Sequence, residues 1–208
     1  MLAGVQAQEK RNFEKAASLY SHCIIQGNLS QIDQTLAHGR RGIVLDELGK
    51  TELANQSYRE VIKSADQALN KDPSAVAFHR RGYAYQKLGL YRLAIADFNQ
   101  AISMDPGSHE VYGTLAWLNA TCPDETYRDG RSAIDLAQKA NEMTGWKNVI
   151  HLEALAAAYA ETGDFIAAEN YQRRVLALIE EAPENTHEKN KNLQRLELYQ
   201  SRKAFRDK

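Results

Sequence analysis

Apolar and small residues recur along the chain with helical spacing, most clearly between Ser74 and Ser108. In this stretch they fall at i, i+3, i+4 and i+7 on both sides of Gly89, which predicts two amphipathic helices joined by a tight turn. Pro106 ends the second helix because proline has no N–H and clashes with the preceding turn. One helix pair leaves apolar surface uncovered, so we expect further copies to stack on it.

The order of large and small residues in this stretch is specific. Gly82 and Ala94 are small where the two helices face each other, and a larger side chain would hold the axes beyond about 8 to 10 Å. The other positions of the pattern are Phe78, Tyr85, Phe98, Ala101 and Pro106. This order, in about 34 residues, resembles a tetratricopeptide repeat.

The rest of the chain resembles variants of this repeat within a single domain. We expect a partial copy at 1–29, full copies at 30–74, 75–108, 109–148 and 149–182, and a capping helix at 185–206. Gly4 takes the small position in the partial copy, and Gly27-Asn28 ends it. The second helix of the copy at 30–74 is predicted to be longer than usual by about two turns. Asn185 or Thr186 is expected to cap the last helix.

The resemblance implies an all-α fold, an α-solenoid in which helix-turn-helix repeats form a right-handed superhelix. In this family the first helices line a concave groove that holds a peptide or a helix of another protein. The family provides a scaffold and no chemistry of its own. We therefore expect a non-enzymatic protein–protein interaction scaffold without a cofactor. The stretch 115–160 also resembles repeat modules of larger bacterial multidomain proteins.

Two other functions stay open at this point. The chain is also compatible with a regulatory or oligomerisation arm of a larger enzyme, and with a periplasmic scaffold for assembly of the cell envelope. A homodimer through the terminal helices stays open as well.

The groove residues are predicted from the stripe beside the one that faces the partner helix. They are Ile43, Glu47, His79, Tyr83, Gln86, Lys87, Trp117, Thr121 and Glu153. Tyr83 and Trp117 are rigid amphipathic side chains of a type enriched at binding hot spots. The alternative for Trp117 is packing on its own neighbours or on the long turn that follows.

That long turn, between Thr121 and Gly130, is the irregular element of the pattern. Asp124, Tyr127 and Arg128 could form a secondary binding loop, because a longer loop on a rigid scaffold often carries function. The alternative is a structural turn, held by an Asn119 side chain that donates into its backbone.

Charged and ring-bearing residues suggest structural roles inside the repeats. Arg81 shares a helix face with Phe78 and Tyr85, and we expect it to form an ion pair with Asp97 on the second helix. Arg40 and Arg80 point more sideways, toward acidic groups of a ligand. His38 occupies the position of Phe78 in its own copy, which favours a packed ring over a metal ligand.

Composition and charge narrow the class of partner. The formal net charge of −1 argues against broad capture of nucleic acid or of an anionic membrane. No apolar run approaches the roughly 18 residues of a spanning helix, so we expect no membrane insertion. Two cysteines and six scattered histidines give no metal cluster and no disulfide framework. The expected partner is another protein or a peptide.

The start of the chain bears on its location. Leu2 to Glu9 is expected to be the remainder of a first repeat's leading helix, so the sequence is expected to be a piece of a longer protein. We expect a cytoplasmic location. Val5-Gln6-Ala7 resembles the end of a signal cleavage site, which leaves a periplasmic location open.

Overall fold

The computed structural model describes residues 1–26, 29–180 and 186–207, with the side chains of Gln31, Thr186 and His187 outside the description. Eleven α-helices lie in these residues: α1 (Leu2–Glu9), α2 (Phe13–Ile25), α3 (Gln31–Glu47), α4 (Thr51–Lys71), α5 (Ala75–Lys87), α6 (Tyr91–Met104), α7 (His109–Thr121), α8 (Gly130–Met143), α9 (Val149–Glu161), α10 (Phe165–Glu180) and α11 (Thr186–Gln200). A 3-10 turn spans Glu125–Tyr127. The described part of the chain contains no strand, and the all-α prediction is confirmed.

The helices pair in chain order, as the repeat pattern predicts. Each odd-numbered helix from α1 to α9 packs on the helix that follows it, and α11 packs on α10. The predicted lengthening is present, because α4 has 21 residues and α6 has 14. The predicted boundary residues Gly27, Asn28 and Asn185, and the capping side chain of Thr186, lie outside the described residues.

The tight turn after α5 shows how the pairing is achieved. Gly89 has a φ of +74°, a conformation that favours glycine. Its N–H donates to the Gln86 carbonyl at 3.0 Å, and the Leu90 N–H donates to the Tyr85 carbonyl at 2.9 Å. These two bonds form a Schellman motif, which ends α5 and turns the chain back into α6.

The chain divides into two compact units, unit 1 (Met1–Asp105) and unit 2 (Pro106–Lys208). Unit 1 contains α1 to α6, and unit 2 contains α7 to α11. The sequence pattern, which continues across residue 105, predicts a single domain and gives no sign of this division.

A glycine–aromatic contact is repeated three times in the core of unit 1. In each case the glycine of the first helix lies against a ring of the second, and the ring is at most 1% exposed. The pairs are Gly4 with Tyr20, Gly42 with Tyr58 and Gly82 with Phe98. A Cβ added at these glycines would lie 2.7, 2.6 and 2.8 Å from the ring. Gly4 therefore makes the same contact with a ring as Gly42 and Gly82, the contact expected of the small position in a repeat.

We expect Gly82→Ala to lower the free energy of unfolding by about 1 to 3 kcal/mol, as overpacking in a core usually does. The added methyl would lie 2.8 Å from the Phe98 ring and 3.1 Å from Asp97 Cβ, and the ring is fully buried among its neighbours. Urea unfolding followed by far-UV circular dichroism measures the loss.

The control for this substitution is Gly39→Ala in α3. There the nearest atom to an added Cβ is Val61 Cγ2, at an ordinary contact distance of 3.8 Å. Alanine favours helix over glycine by about 1 kcal/mol, so this variant should be neutral or more stable. Equal stability of the two variants would contradict the close-contact argument.

Unit 2 is packed around α9, which contacts α7, α8 and α10. Five alanines of α9 are buried, and their small side chains let three helices approach it. Gly113 of α7 lies directly against the imidazole of His151, and a Cβ added at position 113 would clash with this ring. His151 is 3% exposed, and its Nε2 lies 3.0 Å from Nδ1 of His109. A histidine pair, in which His151 is buried and His109 half-buried, thus joins α7 and α9.

Candidate functional site

The predicted groove residues of unit 1 lie on α3 and α5, and we call Ile43, Glu47, His79, Tyr83 and Lys87 the α3–α5 face. Tyr83 is half-buried and packs edge-on against Tyr58, with 6.3 Å between ring centroids. Lys87 Nζ lies 3.1 Å from the Asp46 carboxylate, which also accepts the Tyr58 hydroxyl at 2.7 Å. This face therefore combines aromatic surface with an ordered ion pair.

Two predicted groove residues of unit 1 are placed differently. Gln86 is 8% exposed, because it lies one turn after Gly82 on the stripe that faces the partner helix. Its amide is therefore inside the repeat and does not belong to the exposed stripe. The His79 ring packs edge-on against Phe98, with centroids 5.8 Å apart, so part of it belongs to the core.

The expected ion pair of Arg81 is confirmed and is larger than predicted. The guanidinium donates two hydrogen bonds to Asp97, both at 2.8 Å, and a third to Asp66 of α4 at 2.6 Å. It also lies 5.5 and 5.7 Å from the ring centroids of Phe78 and Tyr85. The neighbouring Arg80, predicted to point toward a ligand, instead donates to the Ile32 carbonyl of α3 at 3.2 Å.

In unit 2 the predicted groove residues lie on two adjacent helices. We call Trp117 and Thr121 of α7, with Glu153 and Glu161 of α9, the α7–α9 face. The C-terminal segment of the same chain, residues 204–207, lies on this face, and we call it the tail. The backbone N–H of Asp207 donates to the Thr121 carbonyl at 2.9 Å. This carbonyl is one of the last of α7, and such carbonyls have no N–H partner within their own helix.

The side chains of the tail make three further contacts with the α7–α9 face. The rings of Phe205 and Trp117 pack with centroids 5.7 Å apart. The Trp117 indole N–H donates to the Asp207 carboxylate at 3.0 Å. Arg206 forms an ion pair with Glu161, with 2.7 Å between Nη2 and Oε2. A non-helical segment of the chain is therefore bound where the sequence predicted a ligand-binding surface.

Arg195 of α11 completes this arrangement. Its guanidinium lies 4.9 Å from the Trp117 ring and 5.0 Å from the Phe205 ring, and Nη1 lies 3.1 Å from a Glu153 oxygen. Burial raises the pKa of Glu153, and Arg195 opposes that shift by stabilising the carboxylate. Glu153 is thus engaged within the chain, not open to a ligand as predicted.

The Thr121 side chain is also placed differently from the prediction. It is 1% exposed, and its hydroxyl donates to the Trp117 carbonyl within α7 at 2.7 Å. The contribution of Thr121 to the α7–α9 face is therefore its backbone carbonyl.

The long turn after α7 is held by Arg128. Its side chain donates to the carbonyls of Cys122 at 2.9 Å and Pro123 at 3.3 Å, and to Glu161 at 2.9 Å. Asp124 accepts hydrogen bonds from the N–H and hydroxyl of Thr126, which lower the pKa of Asp124. Two of the three residues expected in a binding loop therefore stabilise the turn itself; the third, Tyr127, is half-buried.

The structural role expected of the Asn119 side chain needs correction. Its amide donates to the Ser132 hydroxyl of α8 at 3.3 Å, and the turn is instead bound by the Asn119 backbone carbonyl, which accepts from the Asp129 N–H at 2.9 Å. The sequence signal for Arg128 was weak, because an arginine in a long turn is equally typical of a surface loop.

We expect Arg128→Ala to accelerate hydrogen exchange of the amides between residues 124 and 129 about tenfold, because the turn would open locally at lower cost. Asn119→Ala is the matched control, since it keeps the backbone carbonyl that binds Asp129. Exchange measured by mass spectrometry on both variants checks this. Equal acceleration in the two variants would show that the Asn119 side chain stabilises the turn as much as Arg128 does.

The described residues bear on metal binding, on membrane spanning and on cysteine pairing. Among them no group of three or more His, Cys, Asp or Glu residues is arranged to hold a metal ion. None of the described helices is long and apolar enough to cross a membrane. Both cysteines are free, with Cys122 buried and Cys23 half-buried.

Comparison with known proteins supports the repeat assignment. The family described as Tetratricopeptide repeat matches residues 75–108, which are α5, α6 and their flanking turns. This copy is a tetratricopeptide repeat. Among curated proteins, the rice (Oryza sativa subsp. japonica) Protein SGT1 homolog is 29% identical over 93 residues, which are 44% of this chain and 25% of that protein. The chain thus spans about a quarter of the curated relative it matches.

Solved structures extend the likeness beyond that one repeat. MamA 41-end from Desulfovibrio magneticus RS-1 matches with a TM-score of 0.52 and 17% identity, over 86% of this chain and 92% of that one. The MamA RS-1 ArsTM double mutant gives 0.51 and 18% identity, over 86% and 91%. The predicted fold of tetratricopeptide helix pairs is therefore confirmed.

Proposed function

We propose that the chain is a non-enzymatic protein-interaction module that binds a segment of another protein or a peptide on the faces of its first helices. The observation that supports this most directly is the tail. A non-helical segment of polypeptide lies on α7 and α9 through an aromatic contact, an ion pair and a main-chain hydrogen bond. A surface that holds one such segment in this way has the groups needed to hold another.

The α3–α5 face is proposed as the second contact surface. Tyr83 offers a half-buried ring and Lys87 an ammonium group held beside Asp46. Aromatic side chains of this kind contribute much of the binding energy at interfaces, because they bury a large area at low entropic cost. The net charge of −1 adds no broad attraction for nucleic acid, which supports a protein partner.

The test is affinity capture with variants of each face. The wild-type chain, Tyr83→Ala and Trp117→Phe are immobilised, and captured proteins are quantified by mass spectrometry. Ile166→Ser serves as the control. Ile166 is 75% exposed on α10, which is the second helix of its repeat and is not part of either proposed face. We expect the wild type and the control to capture a common partner. Tyr83→Ala should capture at least about tenfold less of it, as expected for a hot-spot residue. Equal recovery on all four proteins would contradict the proposal.

The location of the module is proposed from its thiols. Cys23 and Cys122 are both free, which is typical of a reducing compartment and supports the cytoplasm. Cell fractionation tests this, and recovery in the periplasm would favour the alternative of an envelope scaffold. A homodimer through the terminal helices stays a prediction for light scattering to test.

A further inference from the structure

The tail presents three consecutive side chains to the α7–α9 face, and each makes a chemically different contact. Phe205 supplies a ring, Arg206 a cation and Asp207 a carboxylate, received respectively by Trp117, Glu161 and the Trp117 indole N–H. The main-chain bond to Thr121 carries no sequence information. The three side-chain contacts do, and together they describe one order of residues: aromatic, basic, acidic.

The groups that receive the tail are held in place without it. Trp117 packs against the buried alanine cluster of α7, α8 and α9. Glu161 is fixed by Arg128 at 2.9 Å, and Arg195 is fixed by Glu153 at 3.1 Å. The α7–α9 face would therefore keep its shape after the tail leaves, and a preorganised site binds with a smaller entropic cost.

The tail lies at the surface of unit 2, where Ala204 and Phe205 pack against the edge of a buried cluster that includes Tyr199. All four of its residues are only half-buried, and residues 201–203, which connect it to α11, are exposed. α11 ends before the tail begins: the Arg202 N–H donates to the Tyr199 carbonyl and the Lys203 N–H to the Leu198 carbonyl, both at 2.9 Å, and Arg202 has the positive φ of +53° that this kind of helix end uses. Release of residues 204–207 would therefore keep the hydrogen bonds that end α11.

We propose that the α7–α9 face binds a partner segment in which an aromatic residue is followed directly by a basic and then an acidic residue. The tail occupies this site until such a segment displaces it. This rests on the proposed function and adds the chemistry of the partner. The tail acts as an internal competitor, whose effective concentration is on the order of 1 mM for a short flexible connection.

The test uses the 208-residue chain with three substitutions in the tail, Phe205→Ala, Arg206→Ala and Asp207→Ala. The probe is a fluorescein-labelled peptide with the sequence of residues 203–208, KAFRDK, blocked at both ends, and fluorescence anisotropy measures its binding. Circular dichroism first establishes that the substituted chain is folded. We expect saturable binding to the substituted chain. The wild type should bind the peptide at least about tenfold more weakly, because its own tail competes for the site. This factor follows if the tail binds with a Kd of about 100 µM at the effective concentration given above.

Two controls make the contact specific. A peptide in which alanine replaces the phenylalanine should lose most of the binding. Trp117→Phe, added to the substituted chain, keeps a ring but removes the indole N–H, and should weaken binding severalfold. Loss of both effects would show that the peptide does not use this site and would overturn the inference.

Two further outcomes would overturn it. A folded substituted chain that does not bind the peptide would show that the tail is a permanent part of the fold; partner capture that depends on Tyr83 would still leave the proposed function intact. Dimers of the wild type, with monomers of the substituted chain in light scattering, would assign the α7–α9 face to the tail of a second copy.

Discussion

Replacing Arg81 with methionine should lower the free energy of unfolding of unit 1 by about 3 kcal/mol, because it leaves a buried carboxylate without its cation. Asp97 is 6% exposed and accepts two hydrogen bonds from Arg81, so no water can replace the lost donors without rearrangement. Methionine keeps an unbranched apolar side chain at this position, so the loss comes mainly from the charge, its hydrogen bonds and its contacts with the Phe78 and Tyr85 rings. Urea unfolding, with hydrogen exchange of α5 and α6, measures it.

Two variants separate this effect from general damage. Arg80→Met changes the adjacent arginine, which donates one exposed hydrogen bond to Ile32, and should cost about 1 kcal/mol or less. Adding Asp97→Ala to Arg81→Met should recover part of the stability, because the unpaired charge is gone. If the Arg81 and Arg80 variants are equally stable, the buried ion pair contributes little.

Lowering the pH from 7 to 5 should destabilise unit 2 by about 2 kcal/mol through one side chain, His151. Burial and the neighbouring His109 lower the pKa of His151 from 6.5 to about 4, while nearby Glu110 acts weakly in the opposite direction. Between these two values the unfolded chain binds a proton that the folded chain does not. Acidification therefore favours unfolding, and the contribution is fully present above the unfolded pKa.

The measurement is the pH dependence of unfolding in the wild type and in His151→Gln. The difference between pH 7 and 5 should be smaller in the variant by about 2 kcal/mol, whatever its absolute stability. His38 in unit 1 also has a pKa lowered by burial and contributes in the same direction, so hydrogen exchange of α9 is the unit-specific readout. An identical pH dependence in both proteins would show that His151 is not the group responsible.

Local sequence was sufficient to predict the elements of this fold. Helix positions follow from a period that repeats every few residues, and Asp72-Pro73 marks the end of the long α4. The glycine positions were readable because each glycine and its ring are 16 residues apart within one repeat, as in Gly82 and Phe98. The same reasoning paired Arg81 with Asp97.

Contacts between distant residues were not predictable in this way. The tail lacks a periodic pattern, and Trp117 and Asp207 are 90 residues apart in the chain. Gly113 packs against a histidine of the following repeat, so the rule that relates the other glycines to their rings does not apply to it. The sequence thus predicted a binding surface on α7 and α9 of unit 2, which stays a prediction, and could not predict that the chain itself covers this surface.

The extra length of α4 has a consequence for anyone who would redesign these repeats. Asp66 lies in the last two turns of α4, beyond the point where α6 ends in its own repeat. Its carboxylate accepts a hydrogen bond from Arg81 of the next repeat. Shortening this helix to the consensus length would therefore remove an electrostatic link between consecutive modules. The two extra turns of α4 therefore help to connect one repeat to the next.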